Sequence, residues 1–203
     1  IGHQVAEPLR LHKQLERQQA LHAATALLER VGIPDAARRV HDYPHQFSGG
    51  QRQRITIAMA LACEPDLLIA DEPTTALDVT VQQQILDLIN EVVAERDMAL
   101  ILISHDLGVI SQNVHDMLVM YGGQIVESGP TAAIFRHMAH PYTRGLMAAR
   151  PRLDAPRQPS GKPFDLFTIP GSVPALRDLP RGCTFAGRCA FTQTQCYDNK
   201  PQR

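Results

Sequence analysis

From residue 14 to residue 31 the apolar positions Leu15, Ala20, Leu21, Ala24, Leu27, Leu28 and Val31 recur at helical spacing and stop at Gly32, which predicts an amphipathic surface helix. A second helix is expected to start at Ser48, a good capping residue, and to carry Ile55, Ile57, Ala58, Leu61 and Ala62 on one face until Pro65 breaks it. The pattern then changes. Leu67-Leu68-Ile69-Ala70 is a short continuous apolar run, as expected of a parallel strand buried on both faces, and it ends in Asp71-Glu72-Pro73. Asp78 is placed to cap a third helix, whose stripe runs through Val81, Ile85, Leu88, Ile89 and Val92. Leu100-Ile101-Leu102-Ile103 repeats the strand pattern and ends in Ser104-His105-Asp106. Strand, helix and strand in this order predict a parallel α/β sheet. Farther on, Met117 to Tyr121, Gly122-Gly123 and Gln124 to Glu127 read as a hairpin turned by two glycines, and Thr131 starts a short helix with Ile134 and Phe135.

Composition sharpens this picture in three places. The 203 residues, 44% hydrophobic and 20% charged, suit a folded globular chain of one full domain and a small second one. Lys and Arg number 20 against 21 Asp and Glu, so no global basic field holds a nucleic acid or an anionic membrane, and no nucleic-acid partner is expected. The longest uncharged apolar stretch, Ile55 to Cys63, is far below the roughly 20 residues of a membrane-spanning helix. A secretory leader pattern is missing and the first residue is Ile, so the chain is expected to be part of a longer one. Near position 150 the character shifts. Residues 151–203 hold eight of the fifteen prolines and a net charge of +4, against −5 for residues 1–150, which predicts a regular domain over 1–150 and a loop-rich extension over 151–203.

Three features carry candidate chemistry. Asp71 and Glu72 at the carboxyl end of a strand lie where ligands of α/β sheets bind: Asp71 suits Mg²⁺ and Glu72 a general base, or the pair is an ordinary acidic turn. Ser48-Gly49-Gly50 offers a hydroxyl and open backbone amides at a helix start, either a phosphate cradle or a plain N-cap. His105 could donate a hydrogen bond to a phosphate oxygen or simply face solvent. Arg52 and Arg54 either support the helix beginning at Ser48 or line its solvated face.

Taken together, Phe47-Ser48-Gly49-Gly50-Gln51, Leu67 to Pro73, Ala76-Leu77-Asp78 and Ser104-His105-Asp106 resemble the ABC-type ATPase domain in order and spacing. The resemblance implies a P-loop NTPase-type α/β fold with a parallel sheet core and a helical subdomain. It assigns Ser48, Gly49, Gly50 and Gln51 to a signature loop that contacts ATP held by a second ATPase subunit. Asp71 falls on the Mg²⁺ carboxylate, Glu72 on the catalytic base, Asp78 on the D-loop aspartate and His105 on the switch histidine. The G-x-x-x-x-G-K-[ST] phosphate loop does not occur in the 203 residues; Gly161-Lys162 is followed by Pro163. The chain alone is therefore not expected to hydrolyse ATP, and no Q-loop residue is assigned.

The flanking segments narrow the resemblance. Tyr43 to Phe47, Asp78 to Gln82, His140-Pro141-Tyr142-Thr143 and Ile169 to Pro174 are similar to the dipeptide/oligopeptide and nickel permease ATPases. That family implies import of di- or oligopeptides, with nickel as an alternative solute. Its partners would be a second, paralogous ATPase subunit, two integral-membrane permease subunits and, indirectly, a solute-binding protein. The location would be peripheral, on the cytoplasmic face of a bacterial inner membrane. A non-transport ABC ATPase acting in DNA repair or translation is the alternative role.

Cys183, Cys189 and Cys196 fall within fourteen positions, as free thiols or as metal ligands. In some members of the resembling family this extension carries a [4Fe-4S] cluster, which makes the three cysteines candidate ligands. Cys63 reads as a packed helix residue.

Overall fold

The computed structural model describes residues 1–150 and 167–200, so Gly161-Lys162 and much of the proline-rich stretch lie outside the described residues. The chain divides into two compact units, Ile1–Asn113 and Val114–Arg203. This division falls at residue 113, whereas the composition changes near 150.

The first unit opens with α1 (Gly2–His12) and α2 (Arg17–Arg30). Helix α1 has Pro8 inside it, which removes one intrahelical donor and hides the helix from a pattern reading, but Val5, Ala6 and Leu9 bury its inner face. Gly2 is required at its start: a Cβ there would stand 2.3 Å from a Val40 methyl, where the Gly2 N–H donates to the Val40 carbonyl at 2.8 Å. Helix α2 follows its predicted stripe and ends before Gly32, whose φ of +79° only glycine adopts readily. A short α3 (Ala36–Arg39) and a 3-10 turn at Pro44–Gln46 lead to α4 (Gly49–Leu61). Cys63 lies in the turn after α4 and is half-buried, rather than packed within a helix.

Strand β1 (Leu67–Asp71), α5 (Val79–Arg96) and β2 (Ala99–Ile103) form the expected unit, with β1 and β2 parallel in the register Ile69↔Ile101 and Asp71↔Ile103. Helix α6 (Leu107–Asn113) closes it. One core gathers Leu28, Phe47, Ile55, Leu61, Leu68, Ile85, Ile89 and Val92.

Within these 203 residues the strands are buried on one face, not on the two expected. Leu68 and Ala70 are buried, but Ile69 is 59% and Ile101 47% exposed, because the helices of this unit cover only one face of the two-stranded sheet. An apolar surface of Leu67, Ile69, Ile101 and Ile103 is thus left open among the described residues.

In the second unit β3 (Asp116–Tyr121) and β4 (Gln124–Pro130) pair antiparallel, with a register shift after Val119. Gly122 and Gly123 take φ of +55° and +75°, the two positive values a tight two-residue hairpin turn demands. Helix α7 (Thr131–His137) and α8 (Pro141–Ala148) follow. His140 caps α8 by accepting from the Tyr142 N–H at 3.1 Å, with Pro141 in the first helical turn. Tyr121, Tyr142 and Phe185 pack with ring centroids 4.7–5.5 Å apart. Arg188 clamps the segment at 169–171 by donating to the carbonyls of Pro170 at 2.7 Å, Gly171 at 3.1 Å and Ile169 at 3.3 Å, and to the Tyr121 hydroxyl at 3.0 Å. A last turn, α9 (Gln195–Asp198), completes the described chain.

Candidate functional site

The site begins with two helix starts. Ser48 caps α4: its Oγ accepts from the Gln51 N–H at 3.3 Å, and the Gln51 Oε1 accepts from the Ser48 N–H at 3.1 Å, a reciprocal capping box. Gln51 is thereby engaged in shaping the turn. By helix geometry the amides of Gly49 and Gly50 have no intrahelical acceptor, so this end favours an anion. Arg52 donates to the Phe47 carbonyl at 3.0 Å and Arg54 to the Val31 carbonyl at 2.7 Å, so both arginines brace α4, Arg52 from an exposed position and Arg54 from a half-buried one.

Asp78 caps α5 in the same way, accepting from the Val81 N–H at 3.0 Å. The two capped starts touch. A Cβ on Gly50 would stand 2.5 Å from a Val81 methyl, and one on Gly49 would stand 3.4 Å from Leu77.

The acidic pair sits at the end of β1. The Asp71 carboxylate is exposed and has no hydrogen-bond or ion-pair partner among the described residues. Glu72 continues the ladder, its N–H donating to the Ile103 carbonyl at 2.9 Å, but its own φ is +45°, which turns the chain sharply. Because β1 and β2 run parallel and end together, His105 comes beside Glu72. The His105 Nδ1 lies 2.8 Å from Glu72 Oε1, and the Thr75 hydroxyl donates to Oε2 at 2.7 Å. His105 holds the Glu72 carboxyl below the usual carboxylate range, with Thr75 adding to the effect. The Glu72 carboxylate in turn raises the His105 imidazole above its ordinary value. The pair is charged between those two values: as pH falls Glu72 keeps its charge below the ordinary carboxylate range, and as pH rises His105 keeps its proton above the ordinary imidazole value. An NMR titration of His105 in this chain should show the raised value, and Glu72→Gln should return it toward that of an ordinary imidazole. An unchanged titration in the variant would mean that the pairing does not form in solution.

The structure therefore brings together Glu72 with His105, and the Ser48–Gln51 turn with the Asp78 turn. No hydrogen bond or ion pair joins Ser48–Gln51 to Asp71, Glu72 or His105. Sequence reasoning missed Thr75; its signal was a hydroxyl three residues after an acid, the spacing of a turn.

Fit to the implied groups differs between them. Mg²⁺ takes one or two carboxylates plus phosphate and water oxygens, so a lone exposed Asp71 at a strand end suits it. Capped amides at α4 suit a phosphate. The cysteines do not suit a cluster: among the described residues no group of three or more His, Cys, Asp or Glu is placed to hold a metal ion. Cys183, Cys189 and Cys196 are free thiols, and the sulfurs of Cys189 and Cys196 accept from the Phe191 N–H at 3.3 Å and the Gln193 N–H at 3.4 Å. The [4Fe-4S] expectation finds no support in this geometry.

Known proteins resemble this chain in two parts. Residues 3–75 match the ABC transporter family and residues 126–196 the oligopeptide/dipeptide transporter C-terminal region. Proteins named peptide import ATP-binding proteins, from Brucella melitensis and Brucella abortus, are 53% identical over 99% of this chain. The chain is thus similar to ABC transporter ATP-binding proteins over nearly its whole length. It spans 60% of the length of these ABC relatives. Among solved structures it is similar to cbiO1 from Clostridium perfringens, part of the ABC transporter complex cbiONQ, with a TM-score of 0.55 at 26% identity over 70% of this chain and 59% of that one. It is also similar to the dimeric ATP-binding cassette MJ0796 bound to ADP and Pi, with a TM-score of 0.52 at 25% identity over 63% of this chain and 56% of that one. These likenesses bear out the α/β fold class of a partial ABC ATPase domain. Among the described residues no helix is long and apolar enough to cross a membrane.

Proposed function

We propose that this chain is part of the ATP-hydrolysing subunit that drives import of di- or oligopeptides through a membrane permease. The observation that carries the reading is the Glu72–His105 pair at the ends of two parallel strands, in a chain whose relatives are named for peptide import. Bound MgATP would supply the γ-phosphoryl group and the charge that a metal ion neutralises. Asp71 would bind the metal, and Glu72 would accept the proton of the attacking water. His105 would orient Glu72 and face the phosphate oxygens. Ser48, Gly49, Gly50 and Gln51 would close over ATP held by a second subunit, a paralogue of this one, and Asp78 would keep the adjoining turn in shape. The partners in this reading are that paralogue, two integral-membrane permease subunits and, through them, a solute-binding protein. The place of action is the cytoplasmic face of a bacterial inner membrane. We assign residues 1–150 to the ATPase part and residues 151–203 to a permease-type extension. The 203 residues hold no phosphate-wrapping loop, so they do not hydrolyse ATP by themselves.

The test is ATPase activity of the full-length subunit reconstituted with its paralogue and permease, with and without a binding protein loaded with short peptides. Peptide-dependent stimulation is the expected result. Stimulation by nickel instead would correct the solute, and activity indifferent to any permease but raised by DNA or ribosomes would overturn the transport role.

A further inference from the structure

We propose that Thr75 is a positioning residue for the Glu72 carboxylate, holding one of its oxygens while His105 holds the other. The proposal rests on the reading of Glu72 as the base.

Thr75 is exposed and its hydroxyl has one partner, Glu72 Oε2 at 2.7 Å. The turn that presents it is closed from both ends. The Thr75 N–H donates to the Glu72 carbonyl at 3.2 Å, and the Leu77 N–H to the Thr74 carbonyl at 3.3 Å. Glu72 and Ala76, with φ of +45° and +62°, bracket the segment, while Pro73 and Thr74 between them are buried. Thr75 is therefore held to the end of β1 itself. His105 is not: it lies beyond β2 with its side chain 74% exposed, on a separate loop. A Glu72 carboxylate tied to His105 alone would move whenever that loop moved. With Thr75 as the second anchor the acid keeps its place relative to Asp71, its neighbour on the strand.

This matters because a base acts only within hydrogen-bond reach of the proton it takes, and a misplacement of about 1 Å can cost about a hundredfold in rate. Asp71 and Asp106 are the other charged groups beside the pair, and neither bonds to Glu72; the Asp106 carboxylate accepts instead from the Gly108 N–H at 2.7 Å. Thr75 touches neither nucleotide nor metal in this arrangement. Its loss should therefore be felt in the chemical step and spare binding.

The test compares Thr75→Val and Thr75→Ser in the full-length subunit. Thr75→Val should lower kcat about tenfold or more while leaving the KM for ATP and directly measured ATP affinity within twofold. Thr75→Ser, which keeps the hydroxyl, should recover most of kcat. If Thr75→Val fails to fold, Thr75→Ala gives the same comparison. A kcat within twofold of the unaltered protein, loss of ATP affinity in step with kcat, or a serine variant as slow as the valine variant would each overturn the proposal. A crystal structure of the variant keeps this separate from the assignment of the base. The Glu72 carboxylate should leave its present place; an unmoved carboxylate overturns the positioning role, whereas normal turnover in Glu72→Gln would overturn only the base.

Discussion

Replacing Glu72 by glutamine in the full-length subunit is expected to remove most ATP turnover and leave ATP binding intact. The amide keeps the shape of the side chain and offers an oxygen to His105 or Thr75, yet it cannot accept a proton from water. General-base catalysis contributes about 10²–10⁴-fold, so a loss in that range is the size to look for. Glu72 suits the role through position, with both oxygens oriented by hydrogen bonds of 2.7 and 2.8 Å, rather than through burial, since its side chain is 41% exposed. The kinetic signature is a fall in kcat without a rise in KM, because the interaction removed acts in the transition state. Normal turnover in the variant would leave the Glu72–His105 pair as a structural feature and move the search for the base elsewhere.

Gly50→Ala is expected to destabilise this chain, and Val81→Ala to repair part of the damage. Alanine normally favours a helix over glycine by about 1 kcal/mol, so propensity alone predicts a gain. Sterics oppose it: the new Cβ would lie 2.5 Å from a Val81 methyl, far inside contact distance. Val81 cannot turn away freely, being β-branched and fixed by its N–H to Asp78 at 3.0 Å. Overpacking of this kind costs about 1–3 kcal/mol, so the clash should outweigh propensity and lower the melting temperature by a few degrees. Shortening Val81 removes the obstructing methyl, so the double variant should melt above Gly50→Ala alone. Coupling of that sign is the test by thermal melting of the four variants in a cycle. Additive effects would mean that α4 and α5 shift apart without cost. A glycine that reads in sequence as an opening for phosphate thus also allows two helix starts to meet.

Such double duty shows where the sequence stops being legible. The cap at Ser48, the Asp78 cap and the hairpin turn at Gly122-Gly123 were readable because each is an interaction among residues two to three positions apart, set by local backbone geometry; the reciprocal bond from Gln51 to Ser48 came only with the structure. The helix stripes of α2, α4 and α5 were readable because a buried face must repeat at the helical period. Helix α1 escaped because Pro8 argues locally against a helix that packing on α2 nevertheless sustains.

What only the tertiary structure decided involves residues far apart in the chain. Glu72 and His105 are 33 positions apart and meet because β1 and β2 pair in parallel with Asp71 opposite Ile103. Within these 203 residues Leu68 and Ala70 face the helices while Ile69 and Ile101 face away from them, a division that strand pairing and helix placement set. The contact of Gly50 with Val81 and the Arg188 clamp on residues 169–171 have the same cause. Sequence spacing sets local turns and periodic faces, while distances between remote side chains are set by strand register and helix packing, which no single segment of sequence contains.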